Sequence, residues 1–260
     1  MSRRRAWRTA LVTGAASGIG RCFAETLAAQ GTAVGLLDVA ADGLQSAAES
    51  MRAGGGRVEV SISDVGEAAG LGRGVDALVS ALGGLDLVIH CAAILGPGHF
   101  AEQPAAAFER VIRTNLFGTA NVVRATLPAL RATHGAIACL ASTAAVHGWP
   151  ALSAYSAAKF GVAGLCDAVR GELARDGVTL TVAFPLLIDT PLLAGSDLPP
   201  ILKQGRRLPP ATVVERTLAG LARRRPRVFI PASVRLVAAL HGLAPSLLDW
   251  YGRRIGFARS

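Results

Sequence analysis

The sequence predicts an α/β fold in which helices flank one doubly wound parallel sheet of seven strands, within a single domain. Two observations favour this class. Short apolar runs alternate with amphipathic helical segments along the chain, and the first apolar run ends in a glycine-rich loop that opens a helix. At 260 residues the chain is long enough to bury a core without disulfides or metals.

The first strand is predicted from Arg8 to Thr13 and ends in the loop Thr-Gly-Ala-Ala-Ser-Gly-Ile-Gly, from Thr13 to Gly20. Glycines let the backbone approach a ligand closely, and a helix N-terminus offers free N–H groups and a positive dipole to phosphate. The loop therefore favours a pyrophosphate site, with a plain glycine-rich turn as the alternative. The following helix, 21–30, ends at Gly31, a common C-cap residue.

The second strand covers 32–37 and stops at Asp38, eighteen residues after Gly20. A carboxylate at this point accepts hydrogen bonds from both hydroxyl groups of an adenosine ribose and repels a 2′-phosphate. Ser17 and Val39 supply no cation for such a phosphate. The pattern favours NAD(H) over NADP(H); an ordinary helix cap is the other interpretation of Asp38.

The remaining elements continue the alternation, with turn residues between them. Gly54, Gly55 and Gly56 separate the second helix from the third strand, and Asp176-Gly177 ends a later helix. The predicted elements are helix 41–53, strand 57–62, helix 67–82, strand 85–89, helix 104–131, strand 136–141, helix 153–175, strand 178–184, helix 212–225 and strand 227–230.

The chemistry is predicted in the stretch from Ser142 to Lys159. Tyr155 and Lys159 lie four residues apart, which places both side chains on one face of a helix. Because a nearby ammonium favours the phenolate, we expect Lys159 to lower the pKa of the Tyr155 phenol. The pair is interpreted as a general acid and base; an exposed tyrosine beside a solvated lysine is the alternative.

Together these motifs resemble the short-chain dehydrogenase/reductase family of Rossmann-fold oxidoreductases. The likeness rests on the glycine spacing, on Ser142 thirteen residues before Tyr155, and on Tyr155-x-x-x-Lys159; it covers roughly residues 8 to 231. It implies that Ser142 hydrogen-bonds the substrate oxygen and that Lys159 also binds the nicotinamide ribose. Asn115 matches the family asparagine that kinks its helix and holds a water leading to the lysine. Asparagine is poorly favoured inside a helix, which supports such a role.

The resemblance also implies which residues contact the cofactor. Asp64 matches an acid that contacts the adenine, and Thr190 would hold the nicotinamide carboxamide. The full expected set is Gly14, Ser17, Gly18, Ile19, Gly20, Asp38, Asp64, Val65, Ala92, Tyr155, Lys159, Pro185, Ile188 and Thr190.

The sequence departs from the family pattern at two places. His90-Cys91-Ala92-Ala93 stands where Asn-Asn-Ala-Gly is usual, and only Ala92 is kept. We therefore expect a cofactor wall at this position, without a specific ligand role for His90 or Cys91. Leu186 replaces a glycine beside the nicotinamide, and leucine resists positive φ, so the family's backbone turn is in question there.

Two segments lie outside this core pattern. Residues 192–210 are rich in leucine and proline, which predicts a substrate lid and an apolar substrate. The lid belongs to the main domain, which we expect to cover residues 1–231. Residues 232–260 are predicted to form a basic amphipathic extension of this domain, with one or two short helices interrupted by Pro245. We expect this extension to cover the substrate pocket or a subunit contact; weak peripheral contact with an anionic membrane is the alternative.

Composition excludes several other classes of protein. The net charge of +9 lies mainly at the chain ends, since residues 223–260 carry eight arginines and one acid. Aromatic residues are few and no nucleic-acid recognition module is visible, which argues against nucleic acid. Residues 132–158 lack Asp, Glu, Lys and Arg, but serine, threonine, histidine and proline make them too polar for a lipid-facing helix.

The cysteines indicate a reducing environment. Their scattered positions predict reduced thiols, a cytoplasmic location and no metal site. The residues concerned are Cys22, Cys91, Cys139 and Cys166.

The sequence therefore predicts an NAD-dependent oxidoreductase that interconverts a secondary alcohol and a ketone on a steroid-, retinoid- or fatty-type frame. The family resemblance implies a homodimer or homotetramer. The alternative is a catalytically inactive protein that uses the same fold and nucleotide site for regulation or assembly.

Overall fold

The computed structural model describes residues 7–194 and 206–254. Its strands are Thr9–Thr13 (β1), Ala33–Asp38 (β2), Val58–Ile62 (β3), Leu87–His90 (β4), Ala136–Leu140 (β5), Thr179–Pro185 (β6) and Arg227–Ile230 (β7). They form one parallel sheet in the order β3-β2-β1-β4-β5-β6-β7. Every residue of β1 and β5 is buried, as expected of strands that are covered on both faces. The predicted fold class is confirmed.

The helices cover both faces of the sheet. They are Gly18–Ala29 (α1), Ala41–Ala53 (α2), Ala68–Leu82 (α3), Ala105–Ile112 (α4), Gly118–Thr133 (α5), Ser153–Leu173 (α6), Pro210–Ala222 (α7), Val234–Leu243 (α8) and Pro245–Arg254 (α9). Phe23, Leu44 and Val213 of α1, α2 and α7 belong to one apolar cluster. Leu71 and Val122, from α3 and α5, belong to a second cluster that also includes residues of α6.

The strand order places the candidate site. After β3 at one edge the chain returns to the middle of the sheet, so that β4 pairs with β1. In an open α/β sheet, the crevice at this switch point, beyond the carboxyl ends of the strands, is where ligands bind. Thr13 pairs with His90, and His90 pairs with Cys139. The glycine loop, the segment after β4 and Ser142 therefore emerge at the same edge.

The predicted elements are confirmed, with bounds that differ by a few residues at several ends. The predicted helix 104–131 is interrupted at Asn115 by a π-helical turn, Arg113–Phe117, which separates α4 from α5. Helix 41–53 and strand 227–230 have their predicted bounds. The tail forms two short helices separated at Pro245, as predicted. Among the residues described, no helix has both the length and the apolar character needed to cross a membrane.

Candidate active site

The glycine loop forms one wall of a groove of about 500 Å³ at the carboxyl ends of the central strands. Gly14 has a φ of +68°, and a Cβ on it would lie 2.8 Å from the backbone nitrogen of Ala92. A Cβ on Gly20 would overlap the carbonyl oxygen of Gly14. The loop therefore requires glycine at both positions, because any side chain there would collide with the backbone of the loop itself or of the segment after β4.

The N-terminus of α1 faces this groove, and no side chain in the described part of the chain caps its backbone N–H groups. Ser17, the N-cap residue, makes no side-chain capping hydrogen bond, and the first turn of α1 contains no acidic residue. Free backbone N–H groups and the helix dipole at such an end favour phosphate. The backbone thus fits the pyrophosphate that the loop spacing predicts.

Two carboxylates lie along the same groove. Asp38 Oδ2 accepts a hydrogen bond from Ala16 N and Oδ1 accepts one from Ala40 N, both at 3.0 Å. These bonds hold the carboxylate at the end of β2 beside the glycine loop. Asp64 Oδ1 accepts a bond of 2.7 Å from Gly66 N. Both side chains line the groove.

The structure brings the predicted cofactor residues together in two adjoining cavities. Those lining the groove are Gly14, Ser17, Gly18, Ile19, Gly20, Asp38, Asp64, Val65, Ala92 and Thr190. Pro185 and Ile188 line a neighbouring pocket with Tyr155 and Lys159, and Thr190 lines both cavities. Arg110 and Thr114 also line the groove and were missed. Both residues precede Asn115 on the predicted helix and lie four positions apart, so the sequence could have placed them on one helix face.

The neighbouring pocket, about 360 Å³, contains the predicted catalytic side chains. Ser142 lies two residues after the end of β5, and its Oγ accepts a hydrogen bond of 3.1 Å from Ala144 N. Tyr155 and Lys159 lie one turn apart on α6 and are 7% and 4% exposed. The alternative of an exposed tyrosine beside a solvated lysine is therefore wrong.

The predicted effect of Lys159 on Tyr155 is also wrong. Burial raises the pKa of the Tyr155 phenol to about 12, while a hydrogen bond with the Ser142 side chain lowers it. Lys159 Nζ lies 5.6 Å from the centroid of the Tyr155 ring and donates a 2.7 Å hydrogen bond to Leu140 O. The helical spacing correctly placed both side chains on one face, but it carries no information on burial, which disfavours the phenolate.

Burial also changes Lys159 itself. It lowers the pKa of the ammonium to about 8, and the nearby thiols of Cys91, Cys139 and Cys166 act in the opposite direction. All four cysteines are free, as predicted. Burial raises the pKa of the Cys91 thiol, and a hydrogen bond with Cys166 together with burial raises the pKa of the Cys139 thiol, so both thiols stay protonated at neutral pH.

Asn115 lies in the π-helical turn and is 1% exposed. Its side-chain amide donates to Ile94 O and accepts from Ile94 N, both at 2.9 Å. The predicted break of the long helix at this asparagine is confirmed. Its predicted role in ordering a water stays a prediction.

The two departures from the family pattern have different consequences. His90 is 2% exposed and makes its contacts inside the protein, whereas Cys91 and Ala92 line the groove. Leu186 is 41% exposed, and its backbone N–H donates a 2.8 Å hydrogen bond to Ile230 O. Leu186 is not among the residues with positive φ, so the backbone here accepts leucine without strain.

The rest of the pocket is apolar apart from Thr143 and Thr190, and it includes a residue of the tail. Lys159 is the one charged side chain among its described lining residues. Val237 of α8 lines the pocket, and His241 of the same helix lies 3.3 Å from His147, Nδ1 to Nδ1. The C-terminal extension therefore covers one side of the pocket. Other apolar lining residues are Leu95, Trp149, Leu152, Leu187 and Leu193.

The predicted lid, 192–210, is described only at its two ends, since residues 195–205 lie outside the described residues. Leu192 and Leu193 line the pocket at the first end. At the second end Leu208 N donates to Leu187 O at 2.8 Å, and Asp189 N donates to Leu208 O at 2.9 Å. Both ends of the segment are thus held beside the pocket.

Comparisons with known proteins agree with this geometry. The sequence model of the short chain dehydrogenase family matches residues 8–198. The chain is 35% identical to a cyclohexanol dehydrogenase of Acinetobacter sp. (strain SE19), over 72% of this chain and 75% of that protein.

Solved structures show the same likeness. A short chain dehydrogenase/reductase of Burkholderia phymatum in complex with NAD superposes with a TM-score of 0.86 at 24% identity, over 94% of this chain and 96% of that one. A variant of an actinorhodin polyketide ketoreductase with NADPH superposes with a TM-score of 0.79 at 27% identity, over 90% of this chain and 99% of that one. Structures with either nicotinamide cofactor are therefore similar to this chain.

Proposed function

This chain belongs to the short-chain dehydrogenase/reductase family, and on that premise we propose that it is an NAD(H)-dependent oxidoreductase that interconverts a secondary alcohol and a ketone on an apolar substrate. One observation carries the proposal: Ser142, Tyr155 and Lys159 line an apolar pocket that adjoins the glycine-loop groove. The same intact set of side chains counts against the alternative of a catalytically inactive regulatory protein.

The residues present fit a dinucleotide. Gly14 leaves room for a close approach, the N-terminus of α1 would hold the pyrophosphate, and Asp38 would accept hydrogen bonds from the adenosine ribose. When bound, the nicotinamide supplies or accepts the hydride. Thr190, which lines both cavities, is suited to hold the carboxamide at their junction.

Tyr155 is proposed to move the proton. Its phenol donates the proton that the substrate oxygen gains when a ketone is reduced, and its phenolate takes that proton back when the alcohol is oxidised. The Ser142 hydroxyl would donate a second hydrogen bond to the same oxygen. Lys159, whose Nζ lies 5.6 Å from the centroid of the tyrosine ring, would bind the nicotinamide ribose, as the family resemblance implies.

The raised pKa of Tyr155 determines the pH dependence. Oxidation needs the phenolate, whose share grows as the pH rises towards the pKa of about 12, whereas reduction needs the protonated phenol, which predominates below it. We expect kcat/KM for oxidation to rise about tenfold per pH unit between about pH 6 and 8, and kcat/KM for reduction to stay level.

Initial rates in both directions measure this dependence. The range stops at pH 8 because about half of the Lys159 ammonium, with its pKa lowered to about 8, has lost its proton there. An oxidation rate that is already level at about pH 6 would mean that the proton acceptor is not a buried phenol.

The apolar pocket supports a neutral substrate. Lys159 is the one charged lining residue described, and one of its three N–H donors is held by Leu140 O, so the described lining offers no second cation to a substrate carboxylate. Similarity to a cyclohexanol dehydrogenase supports an alicyclic alcohol first, with steroid-, retinoid- or fatty-type frames as further members of the proposed class.

A panel of alcohols tests this choice. With NAD present, the absorbance of NADH should report turnover of cyclohexanol, and kcat/KM for a 4-carboxy analogue should be lower by about tenfold or more, because its carboxylate would be desolvated without a partner. Equal rates for the neutral and the carboxylated alcohol would count against an apolar, uncharged substrate site. No turnover of any alcohol in the panel would count against the proposed function.

A homodimer or homotetramer, a cytoplasmic location and a lid between 192 and 210 follow from the family resemblance and the sequence. Leu236, Leu243, Leu247 and Trp250 of the tail helices are exposed. Together with the arginines of this tail they support either a subunit contact or weak peripheral contact with an anionic membrane.

A further inference from the structure

His90, at the end of β4, bridges two threonine hydroxyls inside the protein. Its Nδ1 lies 2.7 Å from Thr13 Oγ1, and its Nε2 lies 3.0 Å from Thr119 Oγ1. Thr13 ends β1 just before the glycine loop, and Thr119 lies in the first turn of α5. The proposed chemistry does not use this imidazole, although its two neighbours reach both sides of the site.

The direction of each hydrogen bond follows from the atoms present. Thr119 Oγ1 lies 2.6 Å from Asn115 O, and because a carbonyl oxygen only accepts, the threonine hydroxyl donates to it. Thr119 Oγ1 must then accept from His90, so Nε2 carries the proton. Nδ1 is left as an acceptor, and the Thr13 hydroxyl donates to it.

Thr13 Oγ1 also accepts from the backbone. The N–H groups of Cys91 and Ala92 lie 3.2 and 3.3 Å from it, respectively. With its proton donated to His90, the threonine oxygen has both lone pairs free for these two donors. The network therefore has one consistent arrangement in which every hydroxyl, ring nitrogen and backbone N–H has a partner.

The same network holds a segment of the site at both ends. Thr13 holds Cys91 and Ala92, while the Asn115 amide holds both backbone groups of Ile94. Residues 91–94 line the cofactor groove. His90 joins the two anchors, since it contacts Thr13 directly and reaches the Asn115 carbonyl through Thr119.

We infer that His90 is a positioning residue: as a neutral imidazole with the proton on Nε2, it fixes segment 91–94 between the glycine loop and the Asn115 turn. Burial, with a smaller contribution from Lys159, lowers the pKa of His90 to about 3, which agrees with a neutral ring. The inference rests on the proposed NAD(H) site, because the segment that it fixes is a wall of that site.

Substitutions that keep or remove the two hydrogen bonds of the His90 ring test whether this residue supports cofactor binding and turnover. His90→Leu should weaken NADH binding, followed by fluorescence titration, by about tenfold or more and lower kcat by a similar factor. His90→Gln, whose amide has one acceptor and one donor, should recover most of both quantities. Thr119→Val should act like His90→Leu and Thr119→Ser like the wild type. If His90→Leu fails to fold, the threonine pair gives the same comparison.

NMR of the ring nitrogens tests the tautomer independently of turnover. One of the five histidines, identified by its loss in His90→Gln, should show a protonated Nε2 and a bare Nδ1 with no titration between about pH 5 and 8. A titrating ring or the opposite tautomer would overturn the inference. So would unchanged NADH binding and kcat in both His90→Leu and Thr119→Val. A wild-type protein that binds no NADH refutes the proposed function instead, and the NMR result still decides the state of His90.

Discussion

Replacing Tyr155 by phenylalanine should lower kcat/KM for both directions by about 10³-fold, because a general acid or base contributes a factor of this order. The phenyl ring keeps the shape of the buried side chain, which is 7% exposed, and removes only the hydroxyl. Binding of NADH should remain measurable, because the groove is built mainly from the glycine loop and the ends of β2 and β4. Steady-state rates and NADH titration of the same preparation separate these two effects.

Tyr251 is the matched control, since it is the only other tyrosine in the chain. Tyr251→Phe should leave kcat/KM within a factor of about three of the wild type. If Tyr155→Phe kept a rate comparable to that control, the proton would have to come from another group, and the assignment of Tyr155 would be abandoned.

Replacing Asp38 by asparagine together with Val39 by arginine should change the preference between cofactors. The double variant removes a carboxylate that repels the 2′-phosphate of NADP and adds a cation that attracts it. We expect the ratio of kcat/KM for NADP to that for NAD to rise by roughly 10³-fold. Asparagine keeps one acceptor oxygen, so it can retain the hydrogen bond from either Ala16 N or Ala40 N and loses the other.

Asp42→Asn is the control for the loss of one negative charge at a position outside the groove. Asp42 is an exposed carboxylate in the first turn of α2 and does not line the groove. Asp42→Asn should leave the ratio unchanged. A ratio that changed as much in Asp42→Asn as in the double variant, or that stayed at the wild-type value in the double variant, would show that Asp38 does not determine the proposed preference for NAD.

The elements that the sequence predicted well are those in which local pattern and tertiary burial agree. Helix Ala41–Ala53 has an amphipathic pattern and is followed by three glycines, and β7 is a short apolar run after a proline. Within helix 104–131, apolar periodicity does not distinguish a π-helical turn from an α-helix, so it could not show the interruption. Asn115, unfavourable inside a helix, was the one residue that marked the break.

The sequence was sufficient to predict which residues form the site, but not the pKa shifts of their side chains. Tyr155 and Lys159 could be paired by spacing, yet their pKa shifts come from desolvation by residues distant in sequence, which no local pattern reveals. His90 was treated only as a departure from the family pattern. Its partners Thr13 and Thr119 lie 77 and 29 residues away in the chain and become neighbours only through the pairing of β1 with β4 and the packing of α5.

Deuterium transfer tests the central claim most directly. Cyclohexanol carrying deuterium on the hydroxyl-bearing carbon would be incubated with NAD and the wild-type protein, and the nucleotide product analysed by mass spectrometry and NMR. We expect deuterium at C4 of the reduced nicotinamide with the wild type, and a signal lower by about 10³-fold with Tyr155→Phe. Cyclohexanone formed without deuterium in the nucleotide, or equal transfer by both proteins, would contradict hydride transfer assisted by the Tyr155 phenol.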